Sequence, residues 1–453
     1  MRRIIILAAI AIILLVTGLL TVFLGSQNEP VTLTMWHVYG YQTNSDMNEL
    51  VHEFNKTTGK DKGIYVNVTA LANSDYIHTM LVAAANNEPG AGKLPDIFVS
   101  YPKTAIAMGA DILLDWNEVL SEQEREQYVQ AFMDEGVING RLVVFPIAKS
   151  TEVLFMNKTE FDRFSADTGV KIENLATWEG MFDAMARYYD WTDAKTPDIP
   201  NNGKPFLFCD SPFNYFQLAA RQLGGSFFKG DAVDFDDPAA KKGWELFAVA
   251  AAAGHVNLQD GYGTMQIMIG ESVCEIGSTA SIVYFKDTVT YPDNTTEPLV
   301  VTVAPFPVFK GAEKSAVQRG TGLCALKGDK VKEAAAVEFL RCFTGIIVNT
   351  DFCSRMGYMP VKKEAYEAFF AGGYDRIEAP DRRSLCESIA LMYSDYKFYP
   401  SPLFDSYGQL HDDFTAEMRR LLRPYQNAGT ADPEEAAAAT WAKMRERFGK
   451  WPM

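Results

Sequence analysis

The sequence predicts an α/β protein that folds as two lobes and is preceded by one apolar N-terminal helix. The chain has 453 residues, which is more than one hydrophobic core usually supports, so two lobes are expected. Between residues 31 and 100, strand patterns alternate with helix patterns, which is typical of a mostly parallel sheet covered by helices. Further along, the polar stretch 148–152 separates two short apolar runs and is expected to pass from one lobe to the other.

The N-terminus predicts a membrane segment. Arg2 and Arg3 precede an uncharged, mostly aliphatic run from Ile4 to Leu24, whose 21 residues would reach ~31 Å as a helix, about one hydrocarbon core. The arginines should remain in the cytoplasm, which places the rest of the chain outside. Because the run is long and is followed by a poor cleavage site, we expect an uncleaved anchor rather than a removed signal peptide.

The first lobe begins with a strand over residues 31–36. Asn44-Ser45 then supplies the cap of a helix with an apolar stripe at helical spacing, and residues 64–70 alternate between apolar and polar as in a half-buried strand. A helix over residues 76–86 and a short apolar strand around Ile97 complete the pattern. Ligands of such sheets bind beyond the carboxyl ends of the strands.

The later part of the chain continues the alternation. Residues 143–146 and 153–156 are short apolar strands on either side of the expected crossing. Aspartate followed by proline at Asp237 and at Asp432 predicts two helix starts. A further helix with an apolar stripe is expected after Lys330.

Composition and motifs exclude several classes of function. A formal charge of −16 argues against a nucleic-acid partner, because phosphate binding needs a basic face. The five histidines and six cysteines form no metal-ligand spacing, so we expect no metal, no cofactor and, for the cysteines in apolar stretches, buried free thiols. No nucleophile elbow, phosphate loop or zinc-protease helix occurs, so no enzyme is predicted, although 58 acidic residues leave chance carboxylate pairs.

Six short sequence segments follow one another along the chain: residues 33–37 (LTMWH), 94–97 (LPDI), 146–157 (PIAKSTEVLFMN), 177–179 (TWE), 320–323 (GTGL) and 356–361 (MGYMPV). In this order they resemble the family 1 extracellular solute-binding proteins of ABC importers. The resemblance runs from about Val31 to Trp451 and implies a two-lobed, periplasmic-binding-protein-like fold of type II with a central ligand cleft.

The resemblance also implies how the protein works. Residues 1–30 would be the anchor and linker, residues 31–148 with 299–327 the first lobe, and residues 149–298 with 328–453 the second. A small solute would bind between the lobes and stabilise the closed form, which would dock as a monomer on the transmembrane subunits of a permease. The protein would act at the outer face of the cytoplasmic membrane.

Within that family the glycerol-3-phosphate-binding branch is similar, and its ligand contacts would fall on Tyr76, Ser150, Trp178, a serine of 278–281, Gly320 and Tyr358. Judged by residue type alone, the aromatic rings of Trp36 and Tyr101 could also pack against the solute. Glu152, a polar side chain at the crossing, could form hydrogen bonds with it. The expected ligand-binding residues are therefore Trp36, Tyr76, Tyr101, Ser150, Glu152, Trp178, Ser278, Ser281, Gly320 and Tyr358. Core packing is the alternative for the two tryptophans, and hinge, cap or turn roles are the alternatives for the serines and the glycine.

The expected solute is a neutral sugar or polyol. The acidic position after Tyr101 is Pro102 here, and residues 401–408, where an arginine would grip a phosphate, contain no basic residue. Glycerol 3-phosphate or a glycerophosphodiester therefore remains an alternative, as does a surface sensor or adhesion module on the same fold.

Overall fold

Two five-stranded sheets form the framework of the protein. The computed structural model describes residues 30–40, 43, 45–374, 377–404, 406–428 and 432–451. The strands of the two sheets are β1 (Val31–His37), β2 (Ile64–Ala70), β3 (Ile97–Ser100), β4 (Phe145–Pro146), β5 (Glu152–Asn157), β6 (Leu207–Cys209), β7 (Val256–Asn257), β8 (Cys274–Ser278), β9 (Val301–Ala304) and β10 (Gly322–Ala325).

The strand order within each sheet confirms the predicted α/β architecture. The first sheet runs β2-β1-β3-β10-β4; β1 is parallel to β2 and β3, while β10 is antiparallel to β3 and β4. The second sheet runs β7-β6-β8-β5-β9, with β6 parallel to β7 and β8 and with β5 antiparallel to β8 and β9. The first sheet therefore receives β10 from beyond the second sheet, whereas the five strands of the second sheet follow one another in the chain.

Helices cover both sheets. The longer helices, together with two short helices near the site, are α1 (Asp46–Lys56), α2 (Ser74–Ala85), α3 (Pro102–Ala107), α4 (Lys158–Thr168), α5 (Trp178–Asp193), α6 (Pro212–Gln222), α7 (Pro238–Ala252), α8 (Gly263–Met268), α9 (Lys330–Phe343), α10 (Ile346–Met356), α11 (Pro380–Asp395), α12 (Tyr407–Ala428) and α13 (Pro433–Phe448). Shorter helices span Thr58–Lys62, Ala110–Ile112, Trp116–Val119, Glu122–Arg125, Gln130–Glu135, Ile172–Ala176, Thr279–Tyr284 and Lys363–Ala368. Short strand pairs join Val137–Ile138 to Arg141–Leu142, Phe228–Lys229 to Ala232–Val233, Thr288–Thr290 to Thr296–Pro298, and Ser315–Gln318 to Lys397–Pro400.

The predicted capping residues begin their helices as expected. The Ser45 hydroxyl accepts a hydrogen bond from the backbone N–H of Asn48 at 3.4 Å. Asp237 accepts from the N–H groups of Ala239 and Ala240 at 2.8 and 3.0 Å, with proline in the first turn. These caps satisfy donors that have no partner inside the helix.

Each sheet has its own hydrophobic core, and the two cores correct the predicted division of the chain. Strand β9 pairs with β5 in the second sheet, although residues 299–327 were assigned to the first lobe. Helices α9 and α10 pack in the first core, although residues 328–453 were assigned to the second. Apolar strand and helix patterns show that a segment is buried, and they carry no signal for which of two similar sheets buries it.

The membrane prediction falls outside the structure. The apolar run Ile4–Leu24 does not belong to the described residues. Within the part of the chain that is described, every helix is too short or too polar to cross a bilayer. The six cysteines carry free thiols. Cys274 and Cys324 are buried, as their apolar surroundings predicted, whereas Cys342, predicted to be buried as well, is only half-buried.

Candidate functional site

The chain crosses between the two sheets at three points that lie side by side. Lys149 exchanges backbone hydrogen bonds with Met359, at 3.2 Å from the Lys149 N–H and 2.7 Å from the Met359 N–H. Ser150 does the same with Arg319, at 2.8 and 2.7 Å. The segment between β4 and β5 is therefore the middle strand of a short hinge ribbon, as its polar sequence predicted.

A buried ion pair lies beneath this ribbon. The Nζ of Lys149 is 2.6 Å from the carboxylate of Glu135, and both side chains are less than 10% exposed. The same ammonium group donates to the backbone oxygen of Gly320 at 3.0 Å, and Gln318 donates to Glu135 at 2.6 Å. The pair thus joins the first and second crossings to a helix of the first lobe.

Gly320 occupies a position that only glycine fits. Its φ is +107°, and a Cβ atom there would lie 2.5 Å from the backbone oxygen of Ala148 and 2.8 Å from Cα of Lys149. The predicted site residue therefore lets two crossing strands approach each other closely, which is a hinge role. Whether its backbone also contacts solute stays a prediction.

Carboxylates and one arginine form the second-lobe wall next to the hinge. Glu152 starts β5 and is 1% exposed, and its Oε1 accepts from Nη1 of Arg319 at 2.6 Å and from Nδ2 of Asn214 at 2.7 Å. Burial raises the pKa of Glu152 although the Arg319 charge opposes the shift. Ser278 ends β8 beside this group, with its Oγ 3.5 Å from that of Ser150.

Asp210 and Glu275 form a buried carboxyl pair behind that wall. A Cβ atom on Gly277 would lie 2.2 Å from Oε1 of Glu275 and 3.0 Å from Oδ2 of Asp210, so both oxygens face the same glycine. Both carboxyl oxygens of Glu275 are buried, and the side chains of Asp210 and Ser281 lie next to them. Burial and the Asp210 carboxylate raise the pKa of Glu275 well above its usual value, because two adjacent carboxylates cannot both be ionised in a dry site.

We predict that Glu275→Gln removes part of the loss of stability that accompanies a rise in pH above about 4.5. A carboxyl with a raised folded-state pKa contributes stability that is complete below its unfolded value of 4.5 and is lost as the pH rises through the folded value. The variant should gain on the wild type by up to about 1.4 kcal/mol per pH unit in that window. Denaturant titrations between pH 5 and 8.5 measure this difference. Glu271→Gln, which changes a half-buried neighbour, serves as the control. If the stabilities of Glu275→Gln and wild type changed in parallel with pH, the raised pKa of Glu275 would be contradicted.

Tyrosines face the hinge region from both lobes. Tyr101 follows β3 in the first lobe, and Tyr262 precedes α8 in the second and is 55% exposed. Burial raises the pKa of Tyr262, and the charges of Asp75 and Tyr101 of the first lobe add to the shift, so both lie within electrostatic range of Tyr262. Tyr358 lies edge-on to Tyr39 at 5.4 Å between ring centres.

The rim of the cleft also brings the lobes together. A Cβ atom on Gly408 at the start of α12 would lie 3.3 Å from Cδ of Lys103 on α3. Burial and the Lys103 charge lower the pKa of His78, while Asp75 and then Asp412 of the second lobe raise it. Lys103 therefore supplies a positive charge opposite the stretch 401–408, which itself contains none.

The structure does not place every predicted residue in this group. Trp178 is 1% exposed, and its ring packs in the second core against Tyr215 at 4.7 Å and Phe306 at 5.7 Å between ring centres, so the prediction that it lines the cleft is wrong for this structure. The first turn of α5 directs the indole inward, where it buries a large apolar area. Trp36 is half-buried in β1, and Tyr76 is 47% exposed near the start of α2.

Three residues of the site were not predicted from the sequence. Arg319, Asp210 and Tyr262 lie far apart in the chain and in no recognised phrase. The sequence did contain a signal for Asp210. Asp210 and Ser211 lie between the end of a short apolar strand and a helix that begins with proline, and α/β sheets bind ligands at such strand ends. In the described part of the chain no cluster of His, Cys, Asp and Glu is arranged to hold a metal ion.

Comparison with known proteins identifies the family. The model of a family described as bacterial extracellular solute-binding protein matches residues 49–373. The chain belongs to this family. No curated protein sequence matches this solute-binding protein.

Solved structures share the fold at low sequence identity. An ABC substrate-binding protein from Listeria monocytogenes in complex with cycloalternan is 18% identical, with a TM-score of 0.68, and the match covers 93% of this chain and 99% of that one. UgpB from Mycobacterium tuberculosis in complex with glycerophosphocholine is 16% identical, with a TM-score of 0.66 and coverage of 92% and 98%. Maltose-bound MalE3 of T. maritima is 17% identical, with a TM-score of 0.64 and coverage of 92% and 100%. The fold of this solute-binding protein is therefore that of the two-lobed substrate-binding proteins of ABC transporters.

Proposed function

We propose that the protein binds a neutral carbohydrate between its lobes and delivers it to the permease of an ABC importer. The observation that carries this proposal is the composition of the cleft at the hinge. Tyr101 and Tyr262 belong to opposite lobes and lie within electrostatic range of each other, Asp210 lies within range of Tyr262, and the hydroxyl groups of Ser150 and Ser278 are 3.5 Å apart at the hinge. Aromatic rings beside groups that donate and accept hydrogen bonds suit the apolar face and the hydroxyls of a sugar.

The charge of the cleft favours a neutral solute over an anion. Arg319 is compensated by Glu152, and Asp210 adds a further carboxyl group with Glu275 behind it. A phosphate would meet little uncompensated positive charge there. The neighbour that binds glycerophosphocholine makes a phosphodiester the second candidate, for which Lys103 at the rim is the available cation.

The mechanism proposed for transport is closure of the lobes on the solute. Contacts with Tyr101 on one lobe and Tyr262 on the other would stabilise the closed form, and the shift is limited by the difference in affinity between the two forms. The closed monomer would dock on the transmembrane subunits. We assign no catalytic activity to the site, and the apolar run 4–24 would serve as an anchor that holds the protein at the outer face of the cytoplasmic membrane.

A thermal-shift panel tests this proposal. The full-length protein, in a mild detergent, is screened against maltotriose, xylotriose, cycloalternan, glycerophosphocholine, glycerol 3-phosphate and amino acids. A ligand at about 100 times its Kd adds about 2.7 kcal/mol to the free energy of unfolding. We expect a shift with at least one neutral sugar; a shift with glycerophosphocholine alone would support the second candidate, and shifts with amino acids alone would contradict both.

A further inference from the structure

Arg319 stands out in the cleft wall because both its backbone and its side chain are fixed. Its N–H and carbonyl groups both bond to Ser150 in the hinge ribbon. Its Nη1 donates to Oε1 of Glu152 at 2.6 Å, and Glu152 also accepts from Asn214. The guanidinium is therefore held in one orientation at the point where the chain passes between the lobes.

The remaining donors of this guanidinium are available. Among the described residues, no group accepts a hydrogen bond from Nε or Nη2 of Arg319, and the side chain is 28% exposed whereas Glu152 is 1% exposed. Oε2 of Glu152, buried beside it, also has no donor among these residues. A guanidinium carries its N–H groups in a rigid planar fork, so two parallel donors can meet two neighbouring oxygen atoms.

The surroundings determine which oxygen atoms fit. Glu152 offsets the charge of Arg319, the Asp210 carboxyl group lies within electrostatic range, and Tyr101 lies near the guanidinium from the first lobe. An anionic group placed on the fork would gain from Arg319 and lose against the two carboxyl groups. Adjacent hydroxyl groups of a neutral sugar gain the same two hydrogen bonds without that repulsion.

We propose that Arg319 is a specificity-determining residue of the cleft, whose Nε and Nη2 donate hydrogen bonds to two adjacent hydroxyl oxygens of a neutral carbohydrate. Glu152 offsets the positive charge of Arg319 and thereby excludes anionic sugars. The proposal rests on the proposed function and adds the side chains that decide between neutral and anionic solutes. Lysine would not replace Arg319, because a single ammonium group lacks the planar fork.

The charge of Glu152 is the part of the proposal that can be tested without knowing the natural solute. In Glu152→Gln the amide keeps the shape of the side chain and leaves the charge of Arg319 uncompensated. Affinity for glucose 6-phosphate, glucuronate or glycerol 3-phosphate should then rise at least about tenfold over wild type, the effect of one charge-assisted hydrogen bond. Titration calorimetry on the full-length protein measures it, and no gain with any of the three anions would overturn the proposal.

The fork itself is tested with a variant that does not leave a buried charge unpaired. Arg319→Gln combined with Glu152→Gln removes both charges at once, and its melting temperature without ligand shows that it folds. It should bind the neutral sugar identified by the panel at least about tenfold more weakly than Glu152→Gln does, since two hydrogen bonds are lost. Equal affinities would overturn the role of Arg319.

A matched control shows whether the gain in anion affinity of Glu152→Gln comes from the cleft or only from the change in net charge. Glu297→Gln neutralises one partner of another arginine, Arg163, away from the cleft, and should change no affinity. Failure of the proposed function is distinguishable, because it appears as the absence of any sugar-induced shift in wild type. The anion measurement with Glu152→Gln reports on Arg319 in either case.

Discussion

Replacing Lys149 by methionine should lower the free energy of unfolding by about 3–5 kcal/mol, the usual cost of breaking a buried ion pair. Lys149 is 2.6 Å from Glu135 and both side chains are buried, so the substitution leaves a carboxylate without its cation. The hydrogen bond from Lys149 to the backbone of Gly320 is lost as well. Denaturant unfolding at neutral pH measures the change.

Two further variants distinguish this cause from a simple loss of packing. Lys158→Met removes an ammonium group from an exposed pair with Asp162 and should cost less than about 1 kcal/mol. Combining Lys149→Met with Glu135→Leu should recover most of the loss, because an apolar pair can replace a buried ion pair. A Lys149→Met variant as stable as Lys158→Met would show that the pair does not stabilise the hinge.

Gly320→Ala should be the second strongly damaging substitution. The residue has a φ of +107°, and an added Cβ would overlap the backbone of Ala148 and Lys149. Backbone strain alone costs about 1–3 kcal/mol, and the overlap must also push two hinge strands apart. We therefore expect a loss of at least about 2 kcal/mol in unfolding free energy, together with weaker binding of whichever sugar shifts the wild type.

Gly328→Ala is the matched control for this substitution. Gly328 has a φ of +118° but nothing within 4 Å of its added Cβ, so it carries the strain without the overlap. Its loss of stability should be smaller than that of Gly320→Ala, and its sugar affinity should equal that of wild type. Equal losses in both variants would mean that the close approach at the hinge has no energetic consequence.

Local patterns in the sequence predicted much of the framework. The strands β1 and β2 and the start of helix α1 appear where alternation and the Ser45 cap placed them. These features are decided by neighbouring residues, because burial on one face of a strand or helix repeats with a short period. The crossing between β4 and β5 was visible for the same reason, as a polar interruption between apolar runs.

The sequence was less informative about the site and the division of the lobes. The wall depends on Arg319 reaching Glu152, which lies 167 positions earlier in the chain, and no local pattern contains such a contact. Trp178 directly follows a helix cap, a position that is compatible either with packing against a ligand or with packing in the core. The structure places it in the core. Likewise, only the strand pairing shows that β9 belongs to the second sheet.

The most direct test of the central claim is titration calorimetry of the sugar found by the panel, on wild type and on one variant of each lobe. The claim is that one solute contacts both lobes, so Tyr101→Ala and Tyr262→Ala should each weaken binding by about tenfold or more, the contribution of a buried aromatic contact. Tyr65→Ala, which changes an exposed tyrosine on β2, should leave the affinity unchanged. Unchanged affinity in either Tyr101→Ala or Tyr262→Ala would contradict a solute held between the lobes at this cleft.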